Sequence, residues 1–537
     1  MSSKWPSTIK FKTQVLQVEE RVCQSCGSPL HLYKDRIHRI YSLEGPLKLV
    51  CKLSRCSHKE CAENRTLINP KSEISMTLPR WRIGWDLFLW MGFRRFKRHW
   101  SVPQIRSELL DSYTIELSKD IVVEYLKKYQ VMVAARHQDI SRWKAIYRDC
   151  SDLILSIDGL QPEKGHETIY VVRELRKKRV WFAEPLLSSS AAEIRKLLCH
   201  AKELAEELGK PVKAWVSDKQ DAFVTSIAAE FPGIPHRYCL NHFMRDLAKP
   251  MLERDSHAKV QMRSKVRGLR KIEKDILSEL DKEWHKNHSL TKEQAHYAAN
   301  IVLDYCSAVR GILNDNHGGP LRPPGLRMAE ALEEVSQSIE RNLKLGKTPI
   351  SSKLKSLNRC IKRGLSIYDK ERKKIVRYVK AIQRVMKTLN PETGTSKERS
   401  AQFRKIQYQW ASLRRKEPVK THMLLMMQSF QSGLFVGSDD LEIPEDNLDL
   451  ERWFKTPKGH ERNVQGRQHA GMRIVNEGPT LLLALDAHLS QDEPLTCSDL
   501  LPYIDAEIPK SQRESIERNR VMKKASSKKK DLVCWES

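Results

Sequence analysis

Apolar residues recur at two different periods along the chain, and the places where the period changes divide it into regions. From Ile83 to Phe96 they fall at helical spacing with several aromatics, which predicts a buried helix. Ser101 precedes Val-Pro-Gln, a capping serine with proline in the first turn and glutamine three residues on, so a second helix should run to about Asp111. A polar turn through Tyr113 and Thr114 leads to Ser118, another N-cap, after which Ile121, Val122, Tyr125, Leu126 and Tyr129 share one helical face. The pair reads as a helix-turn-helix, although any helical domain contains similar pairs. From Leu153 the period shortens: Leu153 to Gly159, Thr168 to Val172 and Val180 to Leu187 are short apolar or β-branched runs separated by turns. Ser190 to Leu208 is amphipathic, with Ile194, Leu197, Leu198, Ala201 and Leu204 on one side and Gly209 and Pro211 closing it. A strand at Val212 to Ser217, a helix from about Gln220 to Phe231 and a strand at Pro235 to Cys239 complete the order β-β-β-α-β-α-β.

That order is the topology of an RNase H-like α/β core. Residues 243 to about 430 are long helical patterns rich in Lys and Arg, typified by Ile375, Tyr378, Val379, Ile382, Val385, Met386 and Leu389 at three-and-four spacing. They read as a large α-helical insertion, broken by a Gly/Pro loop at Asn316 to Gly325. Acidic residues gather from Asp439 to Glu451, followed by the basic segment Arg452 to Arg473, and Lys523 to Lys530 reads as a disordered basic tail. The expected division is therefore an N-terminal module at 1–75, a helical region at 76–147, the first part of the core at 148–242, the insertion at 243–438, the second part of the core at 439–490 and a C-terminal segment at 491–537.

Charge narrows the partner. The 537 residues carry a formal net charge of +28, a field that favours a polyanion and makes nucleic acid the first expectation. No apolar run reaches the length of a membrane span, since the one around Trp85 to Phe93 meets Arg94 and Arg95 at once. Met1 to Lys10 lacks the apolar core of a secretory signal, so a reducing, cytoplasmic location is expected, with cysteines serving metals or packing. Of twelve cysteines, five crowd between Cys23 and Cys61. Cys23-x-x-Cys26 and Cys56-x4-Cys61 flank a hairpin and supply four thiolates on two loops, the pattern of a small zinc ribbon holding tetrahedral Zn²⁺. Spacing leaves Cys51 or His58 open as substitutes for Cys56.

Hydrolysis or transfer of a phosphodiester with two metal ions requires carboxylates that converge from separate elements, because Mg²⁺ prefers hard oxygen ligands. Asp158 within the first strand and Asp218 after the fourth stand in the places such a core uses. Taken singly, each has the context of an ordinary turn or cap residue; the pair on neighbouring strands carries more weight. The segments Ser156-Ile-Asp-Gly-Leu-Gln-Pro-Glu-Lys-Gly, Val216-Ser-Asp-Lys-Gln-Asp-Ala, Pro235-His-Arg-Tyr-Cys-Leu-Asn-His and Asn447-Leu-Asp-Leu-Glu-Arg-Trp-Phe resemble the signature blocks of bacterial insertion-sequence DDE transposases related to the Mutator-like superfamily. The resemblance spans most of residues 20 to 475 but is specific only at these blocks.

The resemblance implies that Asp158, Asp218 and Glu451 are the catalytic carboxylates and hold Mg²⁺ or Mn²⁺. It implies further that Cys239 and His242 form a Cys-x-x-His element that binds metal or stabilises the start of the insertion, and that the helix-turn-helix region reads terminal inverted repeats. Glu442, Glu445 and Asp449 lie close to Glu451; Glu451 is preferred because Asn447 can cap a short helix holding it and Arg452, Trp453 and Phe454 follow as in the family. The implied reaction is nicking at the element end and attack of the freed 3′ hydroxyl on target DNA, by a homo-oligomer at the bacterial nucleoid. Arg94, Arg95, Lys97 and Arg98 are candidates to grip phosphates, against the ordinary reading of a solvated helix end, and Arg452, Arg462 and Arg467 are candidates nearer the proposed Glu. Two alternatives stand beside this reading: a non-catalytic DNA-binding protein derived from a transposase, and an RNase H-like nuclease.

Overall fold

A computed structural model describes residues 9–160, 167–266, 268–281, 291–344, 350–412, 417–466, 471–489 and 493–533. The chain forms two units: a discontinuous one, Met1–Ile234 with Leu448–Ser537, and an inserted one, Pro235–Asn447. It is a mixed α/β protein in which both sheets of the first unit combine parallel and antiparallel pairs.

The first unit begins with strands β1 (Lys12–Gln17), β2 (Leu30–Ser42) and β3 (Gly45–Cys56), ordered β1-β3-β2. β2 and β3 are an antiparallel hairpin and β1 joins β3 in parallel. Alternation along β3 turns Leu47, Leu49, Cys51 and Leu53 to one side, where they pack with Leu16 and Ile40. Helices α1 (Ser72–Met76), α2 (Trp85–Phe96), α3 (Val102–Tyr113) and α4 (Lys119–His137) follow. Ser101 and Gln104 form the capping box that the sequence predicts for α3, and the Ser118 hydroxyl accepts the Ile121 N–H at the start of α4. A single apolar cluster joins Phe88 and Met91 of α2, Ile105 and Leu109 of α3, and Val122, Leu126 and Met132 of α4. α2 and α4 approach closely at Gly92, where a Cβ would come within 2.2 Å of the Tyr129 ring.

After α5 (Ile140–Ile146) come β4 (Leu153–Leu160), β5 (Thr168–Glu174), β6 (Arg179–Leu186), α6 (Ala191–Leu208), β7 (Val212–Ser217) and α7 (Asp221–Glu230). Within this unit the strand order is β6-β5-β4-β7, with β4, β5 and β6 antiparallel and β7 parallel to β4. The strands are buried on both faces, which explains their nearly continuous apolar runs. One face, with Leu155, Ile157 and Trp215, packs on Ile194 and Leu198 of α6 and Phe223 and Ile227 of α7. The other, with Leu160, Ile169, Val171 and Val180, is covered by residues beyond 447, namely Leu450, Trp453, Phe454, Ile474, Leu482 and Leu483.

The inserted unit opens with β8 (His236–Tyr238) and is otherwise helical: α8 (Leu240–Lys265), α9 (Leu269–Asp281), α10 (Lys292–Asn314), α11 (Pro324–Lys344), α12 (Ser351–Leu389), α13 (Ser396–Ala411) and α14 (Pro418–Leu434). Its buried Asp255 on α8 accepts the N–H groups of Gly325 and Leu326 at 2.6 and 3.0 Å and the Tyr368 hydroxyl at 2.6 Å, tying α8 to the start of α11 and to α12.

The chain then returns to the first unit as α15 (Leu448–Trp453), α16 (Lys455–Gln465), α17 (Gly471–Leu489, interrupted at Gly478), α18 (Cys497–Leu500) and α19 (Lys510–Val533). Both boundaries of the insertion differ from the expected ones: the inserted unit begins at Pro235 and not at 243, and the return begins at Leu448 and not at 439. The segment Lys523 to Lys530, expected to be a disordered tail, has a backbone that continues α19 as helix, in keeping with the helix propensity of lysine. No helix among the described residues is long and apolar enough to cross a membrane.

Gly92→Ala is expected to destabilise the first unit by about 1–3 kcal/mol through overpacking against Tyr129, outweighing the better helix propensity of alanine. Gly311→Ala in α10, where nothing lies within 4 Å of the added Cβ, should be neutral or stabilising, and urea unfolding of both variants checks the contrast.

Candidate active site and metal centre

The N-terminal cysteines converge. Turns at Cys23–Ser28 and after Cys56 bring four sulfurs together: Cys23, Cys26, Cys56 and Cys61 place their Sγ atoms within 4.8 Å of one another. The Cys23–Cys61 and Cys26–Cys56 sulfur separations are 3.9 and 3.5 Å. Tetrahedral zinc with bonds of about 2.3 Å sets sulfurs about 3.8 Å apart, so this set can hold a zinc ion. Cys51, open as a substitute from spacing alone, is instead fully buried among the leucines of β3, and burial pushes its thiol up to about 11. His58 is exposed; its carbonyl accepts the Cys61 N–H at 3.1 Å, which shapes the second loop.

Asp158 and Asp218 are brought together by strand register. Ile157 pairs with Ser217 across the parallel β4–β7 pair, and each carboxylate is the next residue along its chain, Asp158 within β4 and Asp218 just past the end of β7. Both line one cleft of about 590 Å³, whose wall also includes Gly159, Tyr170 and Phe223. The Gly159 N–H donates to Asp158 Oδ1 at 2.7 Å, and a Cβ at Gly159 would meet the Thr168 methyl at 2.9 Å, so glycine keeps the backbone beside Asp158 uncrowded.

The helix that carries Glu451 approaches the sheet by another route. α15 packs on β4, with Leu450 and Trp453 buried in the cluster that contains Leu160, two residues beyond Asp158. Glu451 itself does not line the cleft. Its neighbour Asp449 is committed elsewhere: Arg173 Nε donates to Asp449 at 3.0 Å while Arg173 Nη1 donates to the buried Asp486 at 3.0 Å. Asp486 also accepts the Val180 N–H at 2.9 Å and lies 3.2 Å from His137 Nε2. Burial pushes the Asp486 carboxyl up, but His137, Arg173 and the Val180 N–H outweigh it and hold the carboxyl below its ordinary range. Burial and then Arg179 hold the His137 imidazole below its ordinary range. Glu445 and Glu442 belong to the inserted unit, where Glu445 lies 3.6 Å from Arg237.

Cys239 is buried at the start of α8, and its sulfur accepts the Asn447 N–H at 3.3 Å, fixing the inserted unit's last residue four positions before Glu451. His242, in the first turn of α8, is also buried.

The basic candidates fall in different environments. Arg95 is buried and donates to the Trp100 carbonyl at 3.2 Å, and Lys97 donates to the His488 carbonyl at 2.7 Å, bonds that hold α2 to its own C-terminal turn and to α17. Arg94 is sandwiched at 5.0 and 4.9 Å from the rings of Trp90 and Trp100. Arg98, Arg452 and Arg462 are exposed, and Arg467 lies outside the described residues. In α4 the residues from Tyr129 to Ala134 are buried, so any groove-reading face is confined to its first turns.

Sequence reasoning missed the Arg173–Asp486 pair, although both carry a signal: one arginine in the apolar strand Tyr170-Val-Val-Arg, and one aspartate in the apolar helix Leu481-Leu-Leu-Ala-Leu-Asp. It also missed Glu167 and Arg518, which lie on the cleft wall. No protein-family model matches the chain, and no curated protein matches its sequence.

Arg173→Met leaves two carboxylates without their shared cation and should cost about 3–5 kcal/mol in urea unfolding, whereas Asp449→Asn, at a 40% exposed side chain, should cost far less. Cys23→Ser and Cys61→Ser should each abolish binding of one zinc per chain, read by metal analysis of purified protein, while Cys51→Ala should retain it.

Proposed function

We propose that this protein is a DDE-type DNA transposase, cutting DNA strands and joining the freed 3′ ends to target DNA. The observation that carries the reading is the register of β4 and β7, which sets Asp158 and Asp218 side by side on the wall of an open cleft. Three further observations support it. The order β6-β5-β4-β7, with three antiparallel strands and a parallel fourth, accords with an RNase H-like core. A helical unit separates the second aspartate from the candidate glutamate, as the resembling transposases have it. Arg173 occupies Asp449, which favours Glu451 as the third carboxylate.

On this reading Asp158, Asp218 and Glu451 hold Mg²⁺ or Mn²⁺, a fit for hard cations because every donor is a carboxylate oxygen. When bound, such ions supply a Lewis acid that activates water or a 3′ hydroxyl and stabilises the leaving oxygen. The chain's own residues set the geometry: β4 and β7 fix two carboxylates through paired backbone, and the Arg173–Asp449 bond orients the helix bearing the third. The glycine at 159 lets the Thr168 methyl and the Tyr170 ring pack against the strand beside Asp158. The cysteine cluster acts as a structural zinc ribbon, and the exposed cations, with the net charge of +28, attract DNA. Assembly as an oligomer follows from the need to hold two DNA ends.

Purified protein incubated with Mg²⁺ or Mn²⁺ and labelled DNA from either side of its coding region should cut that DNA. Asp158→Asn, Asp218→Asn and Glu451→Gln should each abolish cutting and leave binding intact. Asp449→Asn should keep activity within about 10- to 100-fold of the parent, as expected of a positioning group. Retained cutting in Asp158→Asn would end the enzymatic reading, and tight binding by a parent protein that never cuts would favour a DNA-binding protein without catalysis.

A further inference from the structure

Helix α19 is seated unlike its neighbours. Among the described side chains, those from Lys510 to Met522, none belongs to the apolar clusters of the first unit. Its buried face is polar instead: Gln512, Ser515 and Asn519 recur at spacings of three and four and are all buried. Gln512 accepts the Thr480 N–H at 3.2 Å and donates to the Thr480 hydroxyl at 3.1 Å. A second cavity of about 330 Å³ adjoins Gln512 and Ile516, so the helix stands on a ridge of hydrogen bonds between two openings. A helix whose purpose was to close a core would bury an apolar stripe. This one uses its contacts to hold a position, and that position is the wall of the cleft that contains Asp158 and Asp218.

Arg518 is the one basic side chain among the described residues lining that cleft. Its Nε donates to Glu167 Oε1 at 2.7 Å, and the Ser515 hydroxyl bonds the other oxygen of the same carboxylate. Glu167 is nearly inaccessible, with a side chain only 4% exposed, so it serves as a fixed brace. Bonding through Nε uses one edge of the guanidinium. Its Nη1 has only a loose 3.9 Å approach to Glu514, and the planar fork remains suited to a second, bidentate anion.

We propose that Arg518 binds a DNA phosphate beside the reacting phosphodiester, with Glu167 as its positioning residue; this rests on the DNA-cleaving reading of the cleft. A backbone phosphate entering among carboxylates meets repulsion that a braced guanidinium offsets, and α19 thereby becomes part of the substrate-binding surface.

The test uses full-length protein, a fluorescent 30-base-pair duplex for binding, and element-end DNA for cleavage. Arg518→Gln should lower the slope of log K against log salt by about 0.9, the loss of one phosphate contact, and raise KM for cleavage more than it lowers kcat. Arg518→Lys should restore the salt slope but not the parent KM, because it keeps the charge and loses the fork. Glu167→Gln should raise KM in the same direction with the charge at 518 retained. Zinc content and the melting transition report folding for each variant. A parent-like salt slope and KM in Arg518→Gln would overturn the proposal, and faster cleavage in that variant would do so too, making α19 a cover over the cleft. Asp158→Asn separates the two readings: if it still cuts, the enzymatic reading fails; if it is inactive while Arg518→Gln behaves as parent, only the phosphate contact fails.

Discussion

Arg173 sits where a charge is costly, in a strand buried on both faces, and it is tolerated because carboxylates meet it on two sides. Asp486 comes from α17 and Asp449 from α15, and the Trp453 ring lies 5.7 Å from the guanidinium carbon. Asp486 in turn takes the backbone of β6 and faces His137 at the end of α4. One cation thus binds the sheet to the helical N-terminal region and to the segment that returns after the inserted unit. An apolar contact would hold these elements with less regard for register, whereas hydrogen bonds at Nε and Nη1 of a planar group fix it. Asp449 and Glu451 are two residues apart on one short helix, about 200° around its axis. Turning Asp449 toward Arg173 therefore turns Glu451 away from it.

The regular elements of the first unit were largely legible. Apolar runs at 153–159, 168–172 and 180–187 became strands, and Ser101 and Ser118 cap the helices predicted to follow them. Such signals are local: a period of two or 3.6, or a hydroxyl before a helix, acts within a few residues. The sulfur cluster was also legible, because ligand spacing and a hairpin bring two loops to one point, where the Cys23, Cys26, Cys56 and Cys61 sulfurs converge while Cys51 packs among the leucines of β3.

What stayed hidden is long-range. The face of the sheet at Leu160 and Val171 is covered by residues beyond 447, and no periodicity tells which distant helix meets which strand. The same reason conceals Glu167, whose partner Arg518 lies 351 residues further on. Arg95 and Lys97 show the converse difficulty. Their sequence is that of an exposed basic helix end, yet one is buried and the other bonds the end of α17, because a distant segment packs there. Composition reports charge, and only the packing of the whole unit reports which charges face water.

Charge in this protein works at two scales that have opposite signs at the cleft. On the proposed reading the net charge of +28 acts over the Debye length and draws a polyanion without regard to sequence. At the cleft wall itself stand Asp158, Asp218 and Glu167, so a phosphate attracted from afar would be repelled at the last few ångströms. On the proposed reading hard cations offset two of these carboxylates, while the third is already neutralised by Arg518. That division explains why Glu167 is buried and braced against an arginine whereas Asp158 and Asp218 lie in the open cleft. A carboxylate meant to hold a side chain gains from low dielectric, and one meant to hold an exchangeable ion needs access to water.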